Sequence, residues 1–291
     1  LQGSLVIASA DQGEVVALVG DRLARRAGFN RALEMRRPIG SIIKPAVYLA
    51  ALSRPQEYNL LTTVYDEPIE IVVNGQHWQP ENYDKIFHGP LPLVDALVHS
   101  YNGATVQLGM EIGLDSVIET IRQLGVQATI KPYPSLLLGA LEMPPIDVLQ
   151  MYQTIAAGGY RTPLRAILAV TDQQNKTLQR YPLTVRQGPD PRAVFCLTNA
   201  LHKVTTRGTA KSLQQLLPPG LKVAGKTGTT DQLRDSWFAG FSGNHVAVAW
   251  VGRDDNRSTG LTGATGALGV WAATMADIGT TPLNPDPPPG V

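Results

Sequence analysis

Segments with strand character stand at the two ends of this chain, and helix-patterned segments fill the middle. Ser4 to Ala10 and Glu14 to Val19 are short apolar runs around the turn Asp11-Gln12-Gly13, the pattern of a hairpin. Leu221 to Lys226, Ser236 to Phe241 and His245 to Gly252 read as strands too, separated by turn-rich stretches. Between the two groups, Leu93 to His99, Ala104 to Ile112, Asp115 to Leu124, Pro145 to Ala157 and Ala193 to Val204 show helical patterning, with Gly158-Gly159 as a stop signal. Short strands are not stable alone and must pair. The expectation is a mixed α/β fold: an antiparallel β-sheet of N- and C-terminal strands flanked by helices, with an adjoining mostly helical lobe. The chain, residues 1–291, reads as one domain, its sheet-bearing part over about 1–60 and 164–280 and its lobe over about 90–163. A small hairpin is expected within 164–186, a closing helix over Gly269 to Ile278, and irregular structure over 53–92.

Composition narrows the function classes. A net charge of +1 argues against a nucleic-acid binder, which would usually be clearly basic. The arginines at 22, 25, 26, 31, 36 and 37 form a basic stretch that reads as a solvated loop, with contact to an anionic polymer or membrane surface as the other reading. The lone Cys196 lies in an apolar helical pattern and reads as inert core, and the five histidines show no metal-ligand spacing. No cofactor is implied. The abrupt start at Leu1 and the proline-rich end, Asn284 to Gly290, read as a fragment cut from a longer polypeptide.

The chemistry is concentrated in three short motifs. Gly40-Ser41-Ile42-Ile43-Lys44-Pro45 opens a segment, Pro45 to Leu52, that reads as an amphipathic helix. Starting a helix at Ser41 would place Lys44 one turn on, on the same face. A serine hydroxyl is inert at neutral pH unless a base takes its proton, and a lysine can be that base when burial or a nearby cation lowers its pKa. Taken alone, the pattern also describes an ordinary helix start with a capping serine and a solvated lysine. Ser100-Tyr101-Asn102 falls between two helical segments, where Ser100 and Asn102 also read as helix caps. Lys226-Thr227-Gly228-Thr229 ends an apolar strand and, alone, could be a plain strand end and turn.

S-x-x-K, S-D-N and K-T-G in this order form the signature of penicillin-binding proteins and serine β-lactamases, and the chain carries it with Tyr101 where β-lactamases often have aspartate. The resemblance extends to Trp78-Gln79-Pro80-Glu81-Asn82-Tyr83-Asp84, Gly139-Ala140-Leu141-Glu142, Thr154 to Gly159, Arg207-Gly208-Thr209-Ala210, Ala224 to Thr230, Trp237-Phe238-Ala239-Gly240 and Trp250 to Asp254. Together these resemble the transpeptidase domain of class A, bifunctional penicillin-binding proteins, over about residues 4 to 277.

That resemblance implies a D,D-transpeptidase that cross-links peptidoglycan stem peptides and is acylated by β-lactam antibiotics. It implies a parent protein with an upstream glycosyltransferase domain and membrane anchor, working at the periplasmic face of the inner membrane with cell-wall synthesis partners. Ser41 would be the nucleophile and Lys44 its base, with Lys226 helping to keep Lys44 neutral. Ser100 would relay a proton to the leaving amine, and Asn102 would hold Lys44 and bind a substrate peptide group. Thr227 and Thr229 would bind the substrate carboxylate beside Lys226, and Gly228 would leave room for the substrate along the strand. The backbone N–H groups of Ser41 and Thr229 would form the oxyanion hole. Tyr101 is expected to point away from the site. Trp78 and Tyr83 read as packing, and Arg253-Asp254-Asp255 as a turn with local ion pairing.

Three rivals remain. A D,D-carboxypeptidase differs only in accepting water. A class A β-lactamase needs a deacylating carboxylate, and Glu111, Glu119 and Glu142 lie outside the expected E-x-x-L-N context. A non-enzymatic β-lactam sensor would have lost a motif residue, and none is missing.

Overall fold

In the computed structural model, which describes residues 1–23, 28–73 and 75–290, a five-stranded antiparallel sheet carries the fold. Its strands are β1 (Gln2–Ser9), β2 (Val15–Val19), β3 (Ala224–Thr229), β4 (Ser236–Phe241) and β5 (His245–Gly252), in the order β3-β4-β5-β1-β2. The N-terminal hairpin thus joins the C-terminal strands through β1 and β5, from Gln2 opposite Gly252 to Ser9 opposite His245. Every residue of β4 is buried, so both of its faces need cover, and after Ser236 the strand carries no polar side chain.

Each face is covered by a different layer. On one, Phe238 meets Trp271 edge-on, ring centroids 4.9 Å apart, beneath the closing helix. On the other, Trp237 and Trp250 are cross-strand partners, and their indole N–H groups donate to the Pro38 carbonyl at 3.1 Å and to Asp235 Oδ1 at 3.0 Å. Buried tryptophans need such partners. On this second face, Tyr152 of a neighbouring helix donates to the Ile42 carbonyl at 3.1 Å, tying that helix to the turn before Lys44.

The eight helices are α1 (Lys44–Leu52), α2 (Leu93–His99), α3 (Asn102–Ile112), α4 (Leu114–Gln123), α5 (Pro145–Ala156), α6 (Pro191–Arg207), the short α7 (Leu213–Leu216) and α8 (Ala267–Asp277) among the described residues. The covering helices above are α8 and α5. α1 is not amphipathic as expected: all nine of its residues are buried, against α3, α4 and α6. An all-round apolar helix belongs at the centre of a molecule. Ser41 lies just outside it, on a 3₁₀ turn (Gly40–Ile43), and the α-helix proper begins at Lys44 with Pro45 in its first turn. Ser41 makes no side-chain cap.

Three further expectations are corrected. The 53–92 stretch holds two small antiparallel pairs, Thr63–Asp66 with Gly89–Pro92 and Ile71–Val73 with Gln76–Trp78, strands too short to give a readable period. β3 runs from Ala224 to Thr229 rather than from Leu221 to Lys226, so Lys226 to Thr229 form its last four residues. The basic stretch is not simply a solvated loop. Arg31 is buried, paired with Asp254 at 2.7 Å and with Asp21, while Arg37 donates to the carbonyls of Arg253 and Asp254. At Arg253-Asp254-Asp255 the expected turn and local ion pair form, Asp255 with Arg257 at 3.6 Å, and the bonds to Arg31 and Arg37 are added to them. Arg25 and Arg26 lie outside the described residues. The hairpin within 164–186 forms from Ala169–Thr171 and Thr177–Arg180.

Candidate active site

The three motifs converge although they come from three distant parts of the chain. Gly40 has φ +54°, and a Cβ there would lie 2.6 Å from the Thr229 carbonyl oxygen. Only glycine lets the turn carrying Ser41 press this closely on β3. The run from Gly139 braces the turn from behind: the N–H of Gly40 donates to the Gly139 carbonyl and that of Ile39 to Leu141, both at 3.2 Å.

Lys44 and Lys226 are both completely buried, and Ser100 joins them. Lys44 Nζ lies within hydrogen-bond distance of the Ser100 carbonyl at 2.7 Å, Asn102 Oδ1 at 2.7 Å and the Tyr101 carbonyl at 3.3 Å. Lys226 Nζ donates to Ser100 Oγ at 2.9 Å and to the Thr227 carbonyl at 3.1 Å. Ser100 can face both amines because it ends α2 in the left-handed conformation, φ 62°. For a non-glycine residue that costs about 1–2 kcal/mol, and such strain tends to sit at functional sites.

The electrostatics disfavour the charged form of both amines. Burial pushes the Lys44 pKa well down, the neighbouring Lys226 charge lowers it further, and Asp66 opposes both. Burial alone brings Lys226 down to about 7. Among the described residues no hydrogen bond joins Ser41 Oγ to Lys44 Nζ. Such contacts often tighten only once substrate is bound.

The threonines of β3 occupy the groove side. Thr227 Oγ1 is 2.7 Å from Thr209 Oγ1, and Thr229 Oγ1 accepts the Gly263 N–H at 3.0 Å, which leaves the Thr229 hydroxyl proton free to donate. The groove has a volume of about 650 Å³ and is lined by Ser41, Ser100, Asn102, Thr209, Thr227 and Thr229, with Glu81 to Lys85 among its further lining residues.

Gly228 does something other than expected. Side chains alternate along a strand, so its missing Cβ faces away from Thr227 and Thr229. A Cβ there would meet Ile42 Cγ1 at 2.6 Å and the Ile39 carbonyl oxygen at 2.7 Å. The glycine makes room for the Ser41 turn, not for substrate. Gly228→Ala is therefore expected to push the turn off β3, lowering stability by about 1–3 kcal/mol and slowing acylation as well. Thermal unfolding and acylation rates measured on the same variant check this, and unchanged values in both would contradict it.

Other sequence expectations fare variously. Tyr101 has its ring stacked on His88 at 4.1 Å and His99 at 5.6 Å and packs half-buried against the core, while the residue also borders the groove. Tyr83 is exposed at the groove, not packed, whereas Trp78 is half-buried against the core. Ser100 caps the end of α2 through its backbone, but Asn102 is no cap: its side chain bonds Lys44 and the Glu81 carbonyl. Cys196 packs half-buried against the core, and burial pushes its thiol pKa up. Glu111 accepts the Tyr58 hydroxyl, Glu119 lies on α4 and Glu142 pairs with Pro38; none of the three lines the groove.

A family model described as the penicillin binding protein transpeptidase domain matches residues 3–267. The chain belongs to that transpeptidase family. This transpeptidase domain is 45% identical over 293 aligned residues to penicillin-binding protein 1B of Escherichia coli, covering 99% of the chain and 34% of the relative. It is 43% identical to penicillin-binding protein 1B of Vibrio cholerae, covering 94% of the chain and 35% of the relative. The chain thus spans about a third of the length of these relatives. Among solved structures, penicillin-binding protein 1A of Haemophilus influenzae superposes with a TM-score of 0.90 at 26% identity, over 99% of this chain and 49% of that one. The PonA1 protein of Mycobacterium tuberculosis, solved with penicillin V, shares the fold with a TM-score of 0.82 at 24% identity, over 98% of this chain and 81% of that one.

Sequence reasoning gave no role to Thr209, Asn82 or Asp66, all now close to the transpeptidase motifs. Thr209 and Asn82 sit in runs that carried the family resemblance, which was the available signal. Asp66 carried none.

Proposed function

We propose that this transpeptidase domain forms a serine acyl-enzyme at Ser41 from a donor stem peptide ending in D-Ala-D-Ala and passes the acyl group to the amine of a second stem peptide. The observation that carries the reading is the Lys44–Ser100–Lys226 network beside Ser41: two buried amines joined through one serine. Neutral Lys44 takes the Ser41 proton as Oγ adds to the penultimate D-Ala carbonyl. Ser100, bonded to Lys226, delivers a proton to the departing D-Ala amine as the C–N bond breaks. The acceptor amine then attacks the ester and gives its proton to Ser100, replacing the one Ser100 lost, while Lys44 returns its proton to Ser41 Oγ as the ester C–O bond breaks. The N–H groups of Ser41 and Thr229 are assigned to the oxyanion, a contribution of about 10²–10³-fold for a donor of this kind. The close packing of Gly40 on Thr229 supports that pairing.

β-Lactams enter the same path at the first step and stall there. No helix among the described residues is long and apolar enough to cross a membrane. In the parent protein an upstream glycosyltransferase domain and a membrane anchor would hold this domain at the periplasmic face of the inner membrane, where stem peptides and cell-wall synthesis partners meet it.

The bound β-lactam fragment blocks the acceptor, and the glutamates weighed for deacylation lie off the groove. The penicilloyl adduct is therefore expected to be long-lived. Chasing a preformed adduct by mass spectrometry after removal of free drug checks this; turnover within seconds would mean a β-lactamase.

A further inference from the structure

Behind the Ser100-Tyr101-Asn102 turn lies a buried polar pair to which the acylation chemistry assigns no part. Asp66 is completely buried, and its carboxylate accepts three N–H donors: Asn82 Nδ2 at 2.6 Å, the His88 backbone at 2.9 Å and the Ala104 backbone, in the first turn of α3, at 3.1 Å. A buried carboxylate persists only with such partners. Asn82 is also buried and uses both ends of its amide. Its oxygen accepts the N–H of Asn102 at 2.6 Å and that of Gly103 at 3.4 Å; its nitrogen donates to Asp66 and to the Ile86 carbonyl at 2.7 Å. Two donors on one side and two acceptors on the other fix the orientation of the amide.

The grip extends to the side chain that holds Lys44. Asn102 Nδ2 donates to the Glu81 carbonyl at 2.7 Å, so its oxygen is turned to Lys44 Nζ, also at 2.7 Å. Residues 81 and 82 thus hold Asn102 by side chain and main chain at once.

We propose that Asn82, clamped by Asp66, is a positioning residue of the acylation centre: it fixes Asn102 and through it the Lys44 amine. The inference rests on the reading of Ser41 and Lys44 above. The titratable groups facing the pair are Lys44, Tyr48 and Tyr101, on each of which the Asp66 charge acts, and the Asp84–His88 pair on the same loop. A misplacement of about 1 Å at a reacting group costs up to about 10²-fold in rate. Asn82→Ala is therefore expected to slow acylation by benzylpenicillin about 10–100-fold.

Asn82 also satisfies N–H groups at the start of α3, so Asn82→Ala could lower stability through the helix alone. Asn82→Asp separates the two roles. It keeps shape and the acceptor toward Asn102 but presents an oxygen to Asp66, so two carboxylates repel at neutral pH and the new one resists ionising. As pH falls, it regains a proton and with it a donor to Asp66. The acylation rate of Asn82→Asp relative to the parent should therefore climb as pH falls toward the acid range. A helix-capping role alone would leave that ratio flat once the unfolded fraction is subtracted. A parent-like rate in Asn82→Ala, or a flat ratio in Asn82→Asp, overturns the proposal; if Asn82→Ala does not fold, Asn82→Asp decides. A parent domain that forms no adduct at all would instead overturn the underlying reading of Ser41, and the inference with it.

Discussion

With Lys44 replaced by arginine, penicillin acylation of the domain is expected to fall by about 10²–10⁴-fold, the range a positioned general base contributes. Lysine suits the proposed role because its surroundings lower its pKa: it is fully buried, and Lys226 adds a second positive charge nearby. Arginine stays protonated under the same pressure. Its bulk also has to be accommodated in a filled site, so circular dichroism and thermal unfolding must accompany the rate. The same argument sets the pH dependence of the parent. Only the deprotonated amine can take the Ser41 proton, so the acylation rate should rise with pH through the lowered pKa of Lys44 and level off above it. Near-normal acylation by Lys44→Arg would mean that the base lies elsewhere.

Removal of the two groove-facing hydroxyls, Thr227→Val with Thr229→Val, is expected to slow acylation by two orders of magnitude or more. Penicillin and D-Ala-D-Ala both carry a carboxylate beside the bond that is attacked. Thr227 and Thr229 share a strand face, and Thr229 keeps its own proton free because its oxygen already accepts the Gly263 N–H. Hydrogen bonds to a charged group contribute about 1.5–3 kcal/mol each, or about 3–6 kcal/mol for two. The valines also strand the Gly263 N–H and remove a partner of Thr209, so stability should fall by about 1–3 kcal/mol for each group left unsatisfied. A β-lactam methyl ester separates the effects, because it has no anion to lose. If the double variant slows ester and free acid equally, the threonines do not read the carboxylate.

Much of the site was legible because its chemistry is written in contiguous residues. Ser41, Lys44, Ser100, Asn102 and Lys226 each sit in a three- or four-residue motif, and the strands at the chain ends gave the sheet that brings β3 to Ser41. What pattern reading lost was whatever depends on the far side of an element. The role of Gly228 is decided by Ile39 and Ile42, nearly two hundred residues away in sequence. The helix from Pro45 to Leu52 read as amphipathic, yet the Tyr48 hydroxyl is buried on Thr105, and Lys44 just before it bonds to the Ser100 turn. The strands within 53–92 have at most four residues each, too few for a period-2 signal, so the stretch that delivers Asp66 and Asn82 looked structureless. Arg31 and Arg37 read as solvated because their partners, Asp254 and the carbonyls beside it, lie at the other end of the chain.

Intact-protein mass spectrometry with benzylpenicillin, followed by peptide mapping, tests the central claim most directly. The account predicts a single penicilloyl adduct on the peptide containing Ser41, and no adduct on Ser41→Ala under the same conditions. An adduct mapped to another peptide, or one that persists in Ser41→Ala, would contradict it.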